Sequence, residues 1–235
     1  MKTLSVVIPV YNEAATIERV CVAVARADSG GLKKEIIIVD DGSTDGTREL
    51  LRRFEQQPPY RVLYQNRNAG KGAALRRAFA AATGDYVIIQ DADLEYDPAE
   101  FARVLAPLME GKADVVYGSR FIGSLPRRAL FFWHYVGNRV ITTGSNIFTN
   151  LNLSDVETCY KAFTRAALTR ISPRLTSNRF GIEIELTAEV ARAHLRVVEV
   201  GISYAGRTYE EGKKIGWRDG FEALWLIVWY NLFRR

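Results

Sequence analysis

The sequence predicts an α/β protein built on a doubly wound, mostly parallel sheet. Two observations carry that expectation. In the first half, apolar β-branched runs alternate with stretches of helical spacing, the pattern of parallel strands joined by crossover helices. One such run, residues 86–90, then ends abruptly in acid at Asp91-Ala-Asp93. Its centre, Val87, Ile88 and Ile89, reads as a strand buried on both faces.

Each element has its own signal. Residues 4–10 form an apolar strand that includes Pro9. Residues 13–27 carry helical spacing at Ile17, Val20, Val24 and Ala27. Residues 35–39 are a β-branched run ending at Asp40, and residues 45–54 return as a helix. A short strand at 61–64 precedes an Ala-rich helix at 71–82. After the 86–90 strand, Asp97-Pro-Ala-Glu100 is a helix start, with a capping acid and Pro at the first helical position. Residues 114–118 are another strand. The second half changes character. Residues 127–150 are long and partly apolar, with Phe131, Phe132, Trp133 and Tyr135. Strand-like pieces recur at 158–163 and 197–202, with a helix at 182–192 between them. The tail, 217–235, begins amphipathic and becomes apolar all round at 223–230.

Composition excludes several classes. The 235 residues suit one α/β domain plus a small extension, and 48% apolar with 25% charged is ordinary for a globular chain. Met1-Lys2-Thr3 leads straight into a strand, which leaves no room for a signal peptide. Two cysteines, Cys21 and Cys159, are too few for a disulfide scaffold and fit a reducing compartment. No apolar run approaches the ~20 residues that span a bilayer. The net charge of +5 is compatible with phosphates or acidic lipid. No concentrated basic stripe accompanies it, so nucleic acid is not an expected partner.

The chemistry gathers at strand ends. Residues i and i+2 of an extended chain point the same way, so Asp91 and Asp93 can converge. Open α/β sheets bind ligands at such ends, and paired acids suit a hard divalent cation. Pro9-Val-Tyr-Asn-Glu13 follows the first strand and Asp40-Asp-Gly-Ser-Thr-Asp-Gly46 the second, on the same edge. The second of these loops resembles a calcium loop, but its twelfth position is Arg52 and not Glu. Asn68-Ala-Gly-Lys-Gly72 lacks Walker A spacing and reads as a helix start whose amides could face an anion. Cys159 has no His and Asp partners at motif spacing, and His134 and His194 are too isolated for a metal pair.

These motifs together resemble the family 2 inverting glycosyltransferases of the GT-A fold. The matching residues are Val6-Val-Ile-Pro-Val-Tyr-Asn-Glu13, Ile38-Val-Asp-Asp-Gly-Ser-Thr-Asp45, Asn68-Ala-Gly-Lys-Gly-Ala-Ala74 and Gln90-Asp-Ala-Asp93. A narrower resemblance, to dolichyl- and polyprenyl-phosphate sugar synthases, rests on Gly118-Ser-Arg120, Thr158-Cys-Tyr-Lys161 and Arg207-Thr-Tyr-Glu-Glu-Gly-Lys-Lys214. The resemblance implies a role for each acid. Glu13 and Asp40, with Pro9 and Tyr11, would lie against the donor nucleoside. Asp91 would sit near the ribose and diphosphate, and Asp93 would bind Mg2+ or Mn2+ with Asp91 and Glu95. Arg207 and Lys213 would neutralise the donor diphosphate. Arg120 is the first candidate to hold an acceptor phosphate, followed by Arg127, Arg128 and Arg139. Lys161 would belong to a site wall without an assigned contact, although a strand Lys usually snorkels to solvent.

The implied reaction moves a hexose, with inversion, from a nucleotide-sugar to dolichyl or polyprenyl phosphate. GDP-mannose is the leading donor and UDP-glucose the runner-up. A soluble saccharide acceptor is a second reading, and a non-catalytic, membrane-recruited nucleotide-binding module is a third. The expected organisation is a catalytic domain at 1–206, with 125–150 as an interfacial helical insertion, and a basic donor-site loop with a membrane-interface helix at 207–235. All four tryptophans, Trp133, Trp217, Trp225 and Trp229, lie outside the alternating α/β pattern. Aromatics of that kind favour the membrane–water interface, and Lys213-Lys214 and Arg234-Arg235 could meet anionic headgroups. The expected location is therefore peripheral, on the cytoplasmic face of a membrane.

Overall fold

Burial on both faces organises the centre of the molecule into a seven-stranded sheet of order β3-β2-β1-β4-β6-β5-β7. The structure, a computed structural model, describes residues 1–123, 128, 132–208 and 217–234, and for 217–219 the backbone alone. The strands are β1 (Thr3–Val10), β2 (Lys33–Asp40), β3 (Tyr60–Tyr64), β4 (Tyr86–Ile89), β5 (Val115–Ser119), β6 (Lys161–Thr164) and β7 (Val197–Gly201). Ile36 to Val39, Val6 to Ile8, Val87 to Ile89 and Val115 to Tyr117 are all fully buried. Strand β1 pairs in parallel with β2 and β4, β2 with β3, and β5 with β7. These parallel pairs fit the expected doubly wound sheet.

Strand β6 departs from it. It runs antiparallel to both β4 and β5, with Val87 opposite Phe163 and Val115 opposite the same Phe163. A reversed strand starts where its neighbours end. The chain just before Lys161 therefore lies on the edge that carries Asp91 and Asp93.

The helices are α1 (Ile17–Arg26), α2 (Thr47–Leu51), α3 (Lys71–Ala81), α4 (Phe101–Met109), α5 (Phe132–Thr149), α6 (Arg165–Ile171), α7 (Ile182–Arg192) and α8 (Trp217–Val228). Helix α1 buries Ile17, Val20, Cys21 and Val24, the stripe its spacing predicts. A short 3-10 turn at Pro98–Glu100 leads into α4, and the Asp97 carboxylate accepts from the Ala99 amide at 2.9 Å. Gly70 begins α3 at φ 98°, and a Cβ there would lie 2.3 Å from the Asn178 carbonyl oxygen, so only glycine fits.

A second, smaller core lies between α5, α7 and α8, built from Ile141, Val156, Ile184, Ala188, Ala223, Ile227 and Tyr230. The tail is thus one-sided: Ala223, Ile227 and Tyr230 face in, while Phe221, Trp225, Trp229 and Phe233 are exposed. After α8 a π turn follows at Trp229–Phe233. Arg234 does not reach outward as the sequence suggested. Its guanidinium pairs with the buried Glu185 carboxylate of α7, while Arg192 donates to the Tyr230 carbonyl at 2.6 Å. The physical reason is the Glu185 charge, which is fully buried and needs a partner. Among the described residues no helix is long and apolar enough to cross a membrane.

Lys161 also departs from expectation. It is fully buried and does not snorkel. Its ammonium donates to the Val156 carbonyl at 3.0 Å, to the Thr158 carbonyl, and to Glu183 at 2.5 Å. Removing one partner of a buried pair costs about 3–5 kcal/mol, and here Lys71 alone would be left to answer Glu183. Lys161→Met should lose that much stability in urea unfolding. A loss below ~1 kcal/mol would mean that the pair holds nothing together.

Candidate active site

Two loops on the carboxyl edge of the sheet are laced together before any ligand is considered. The Asn12 amide donates to Ser43 Oγ at 3.0 Å, and Asn12 Oδ1 accepts from the Thr44 amide at 2.8 Å. The Glu13 amide donates to Thr47 Oγ1 at 2.9 Å. Asp40, fully buried, accepts from the Ser43 amide at 3.1 Å and Arg48 Nε at 2.7 Å. Asp41 accepts from Gln65 and from the Ala69 and Gly70 amides, at 2.7, 2.8 and 2.7 Å. The amides at the start of α3 therefore face an anion, and that anion is the chain's own Asp41. Pro9 is buried near the end of β1, and Tyr11 is partly exposed just beyond it.

The acids predicted for the site come together with cations between them. Arg207 spans three carboxylates. It donates to Glu13 at 3.2 Å and Asp93 at 3.0 Å, and its Nε lies 3.5 Å from Glu95. Glu95 also accepts from the Arg207 amide at 2.8 Å and from the Tyr204 hydroxyl at 2.6 Å. Asp91 pairs instead with Lys71 at 2.9 Å. Lys71 reaches Glu183 at 3.1 Å, and Glu183 meets Lys161. Burial, followed by the charges of Asp91 and Glu95, pushes the Asp93 carboxyl up to about 7. Lys71 and the Asp91 charge lie beside Cys159, whose thiol burial pushes well up, so it carries no thiolate.

The predicted metal set is not assembled as a cage. Among the described residues no three acids converge in metal-ligand geometry, because Lys71 holds Asp91 while Arg207 lies on Asp93 and Glu95. The donor chemistry nonetheless fits a hard cation. Asp91, Asp93 and Glu95 offer only oxygen, and their mutual repulsion at Asp93 is what a divalent ion would relieve.

The arginines divide. Arg120 is mostly buried, and its fork lies on the fully buried Asp155, with Nε and Nη2 each 2.7 Å from a carboxylate oxygen. Its guanidinium also stacks over Tyr204 at 5.1 Å. The structure thus gives Arg120 an internal partner where the sequence suggested an open phosphate holder. Arg128 donates to the Gly206 carbonyl at 3.0 Å, beside Arg207. Arg139 is exposed and lines a 620 Å³ cleft with Thr142, Thr143, Asn146, Ser154 and Glu199. Arg127 and Lys213 lie outside the described residues.

Sequence reasoning missed Lys71, Glu183, Tyr204 and Asp155. Lys71 had a signal, since it stands in the Asn68–Gly72 motif, but that motif was read for its amides. The other three lie far along the chain from every acid motif, and only the fold brings them in.

Comparison with known proteins gives the family and the fold. The model of the family described as glycosyl transferase family 2 matches residues 5–172. Glycosyltransferase AglJ of Haloferax volcanii is 34% identical over 97% of this chain and 70% of its own length. An undecaprenyl-phosphate 4-deoxy-4-formamido-L-arabinose transferase of Aeromonas hydrophila is 34% identical over 91% of the chain. A dolichol-phosphate mannosyltransferase of Pyrococcus furiosus is 27% identical over the same share. The chain spans 63% and 59% of those two relatives. A solved glucosyl-3-phosphoglycerate synthase of Mycobacterium tuberculosis, in complex with Mn2+ and UDP-glucose, superposes with a TM-score of 0.73. It covers 99% of this chain and 79% of that one, at 22% identity, a likeness of fold. The match over most of the sheet, with three acid-bearing motifs on one edge, makes this chain a member of glycosyl transferase family 2: a glycosyltransferase of the GT-A fold.

Proposed function

We propose that the chain transfers a hexose, with inversion, from a nucleotide-sugar to a polyprenyl or dolichyl phosphate at a membrane surface. The observation that carries this reading is Arg207, held across Glu13, Asp93 and Glu95 on the ligand-binding edge. A leaving nucleoside diphosphate gains negative charge as the glycosidic bond breaks. A guanidinium already fixed beside that position stabilises the charge without reorganising. Asp91, Asp93 and Glu95 would hold a divalent cation, which supplies further positive charge to the departing diphosphate. Glu13 and Asp40 shape the nucleoside end, Asp40 through the loop it holds and Glu13 through its contact with Arg207.

Inversion needs a nucleophile opposite the leaving group. A lipid phosphate has a second pKa of about 6, so it is an anion at neutral pH and needs no strong base. It needs a cation to hold it. Arg139 suits that task better than Arg120, because Arg139 opens on the 620 Å³ cleft while Arg120 neutralises Asp155. The polyprenyl-phosphate relatives support this acceptor, and the dolichol-phosphate mannosyltransferase supports mannose over glucose. UDP-glucose remains the rival donor, since it is the ligand of the solved neighbour.

The outward face of the α5–α8 pair favours a lipid acceptor over a soluble one. Trp225, Trp229 and Phe233 stack in a ladder at 6.3 and 6.0 Å, and Phe132, Trp133 and Ile147 of α5 are exposed. Aromatics in such a stripe suit the headgroup level of a bilayer. The reading is of a peripheral enzyme on the cytoplasmic face.

Incubation with a panel of nucleotide-sugars and a short polyprenyl phosphate, with Mg2+ or Mn2+, tests the whole reading. Transfer from GDP-mannose to the lipid is the expected result, and transfer only to soluble saccharides would overturn it. Asp93→Asn should lose several kcal/mol of transition-state stabilisation, read as kcat/KM at saturating metal. Near-normal turnover would remove Asp93 from the metal set. Arg139→Ala should raise the acceptor KM roughly tenfold and leave the donor KM unchanged. The triple variant Trp225→Ser, Trp229→Ser, Phe233→Ser keeps the inward face of α8. It should no longer float with anionic liposomes, and a folded variant that still floats would refute membrane contact through this face.

A further inference from the structure

The segment between α5 and β6 joins the two ends of the site. At its start Asp155 holds Arg120. At its end the Cys159 thiol lies beside Asp91. The carbonyls of Val156 and Thr158 are both turned onto the Lys161 ammonium. Glu157 stands between those carbonyls, and among the described residues its Oε1 is buried and meets no hydrogen-bond donor. The residue as a whole is partly exposed, so it is not sealed in the core, and it follows Ser154, which lines the cleft with Arg139.

The charged groups around Glu157 come from four directions: Glu183 of α7, Lys161 of β6, Arg120 after β5, and Asp155 of its own segment. Both cations already have carboxylate partners, Lys161 on Glu183 and Arg120 on Asp155. Burial and the Glu183 charge push the Glu157 carboxyl up to about 7. An acceptor left without a donor in such surroundings is a cost to the fold, and native structures keep few of them. They persist where a ligand completes them.

The position narrows the ligand. An ionised phosphate has no hydrogen to donate to that oxygen and would add negative charge beside Glu157. A neutral group that donates a hydrogen bond fits the orphaned oxygen. With the diphosphate at Asp91 and Asp93 and the acceptor phosphate toward Arg139, the group that must lie between them is the transferred sugar. We infer that Glu157 is a specificity-determining residue whose carboxylate accepts a hydrogen bond from one hydroxyl of the transferred hexose. This rests on the glycosyl-transfer reading above. It adds the residue that tells one sugar from another, because a site built to bond a hydroxyl strongly rejects a sugar that lacks it.

The test compares kcat/KM of the full chain, Glu157→Ala and Glu157→Gln across a set of monodeoxy nucleotide-sugars. In the unaltered enzyme one deoxy position should cost about 10²-fold or more, as expected where a buried acceptor is left unpaired. In Glu157→Ala the parent donor should fall to the level of that one analogue, and the analogue should lose nothing further. Calorimetric affinity for the free nucleoside diphosphate should stay the same, which a merely structural role would not allow. A second readout needs no turnover. A folded-state carboxyl raised above its unfolded value gives stability that is complete at low pH and is lost as pH rises through about 7. Glu157→Gln should therefore raise Tm at pH 8, with the gain shrinking toward pH 5. Equal deoxy ratios in an active wild type and its variants would overturn the inference alone. So would lost nucleoside diphosphate affinity or a lower Tm for Glu157→Gln at pH 8. A wild type that turns over no nucleotide-sugar would sink the transfer reading, and this one with it.

Discussion

The buried carboxylate of Glu183 is the interaction on which the site depends. It receives Lys161 from β6 and Lys71 from the first turn of α3, and Lys71 in turn holds Asp91 at the end of β4. One acid thus fixes the spacing of a strand, two helices and the Asp91 carboxylate. Lys161 itself is locked by two backbone carbonyls of the segment before β6. The energetic logic is that of any buried pair: desolvation is offset only if each charge keeps its partners. That makes the network weak as a source of stability and strong as a source of geometry.

Charge crowding sets the electrostatics of this edge. Burial and the charges of Asp91 and Glu95 raise Asp93; Lys71 pairs with Asp91, while the single charge of Arg207 is shared by Glu13, Asp93 and Glu95. Arg207 is reached from Tyr204, whose hydroxyl is fixed on Glu95 and whose ring lies under Arg120. The Arg207 acid cluster and the Arg120–Asp155 pair are therefore joined through a single aromatic ring. Movement of Arg207 away from these acids would leave Asp93 and Glu95 without their cation, a coupling that follows from charge alone.

Helix α7 connects this edge to the outer helices. Glu183 faces the site, while Glu185, two positions on, accepts from the Thr176 and Ser177 amides and pairs with Arg234. Ser177 and Asn178 pack against Gly72 and Gly70 at the start of α3, so tightly that a Cβ on either glycine would collide with their carbonyls. The last turn of the chain and the Lys71 that holds Asp91 are thus separated by one packed segment. The aromatic face of α8 is anchored to the same body that positions the acids.

Much of this was legible in the sequence. The alternation of runs fixed the parallel strands and the edge to which Glu13, Asp40, Asp91 and Asp93 belong, because a parallel strand must end where its neighbours end. The motif at Arg207 placed a cation among them, and the stripe of α1 and the cap at Asp97 were readable because they depend only on local spacing. The direction of β6 was not readable, since a four-residue run reads the same whichever way it is laid into a sheet. Its reversal brings Asp155, Glu157 and Cys159 to the edge that carries Asp91 and Asp93 and turns Lys161 inward. The partners Glu183 and Glu185 were hidden for the same reason. Their helix announces its period, but only packing decides which of its acids is buried and which lysine or arginine must answer it. Local spacing determines elements and their ends, whereas pairing between distant charges is decided by burial, which exists only once the chain is folded.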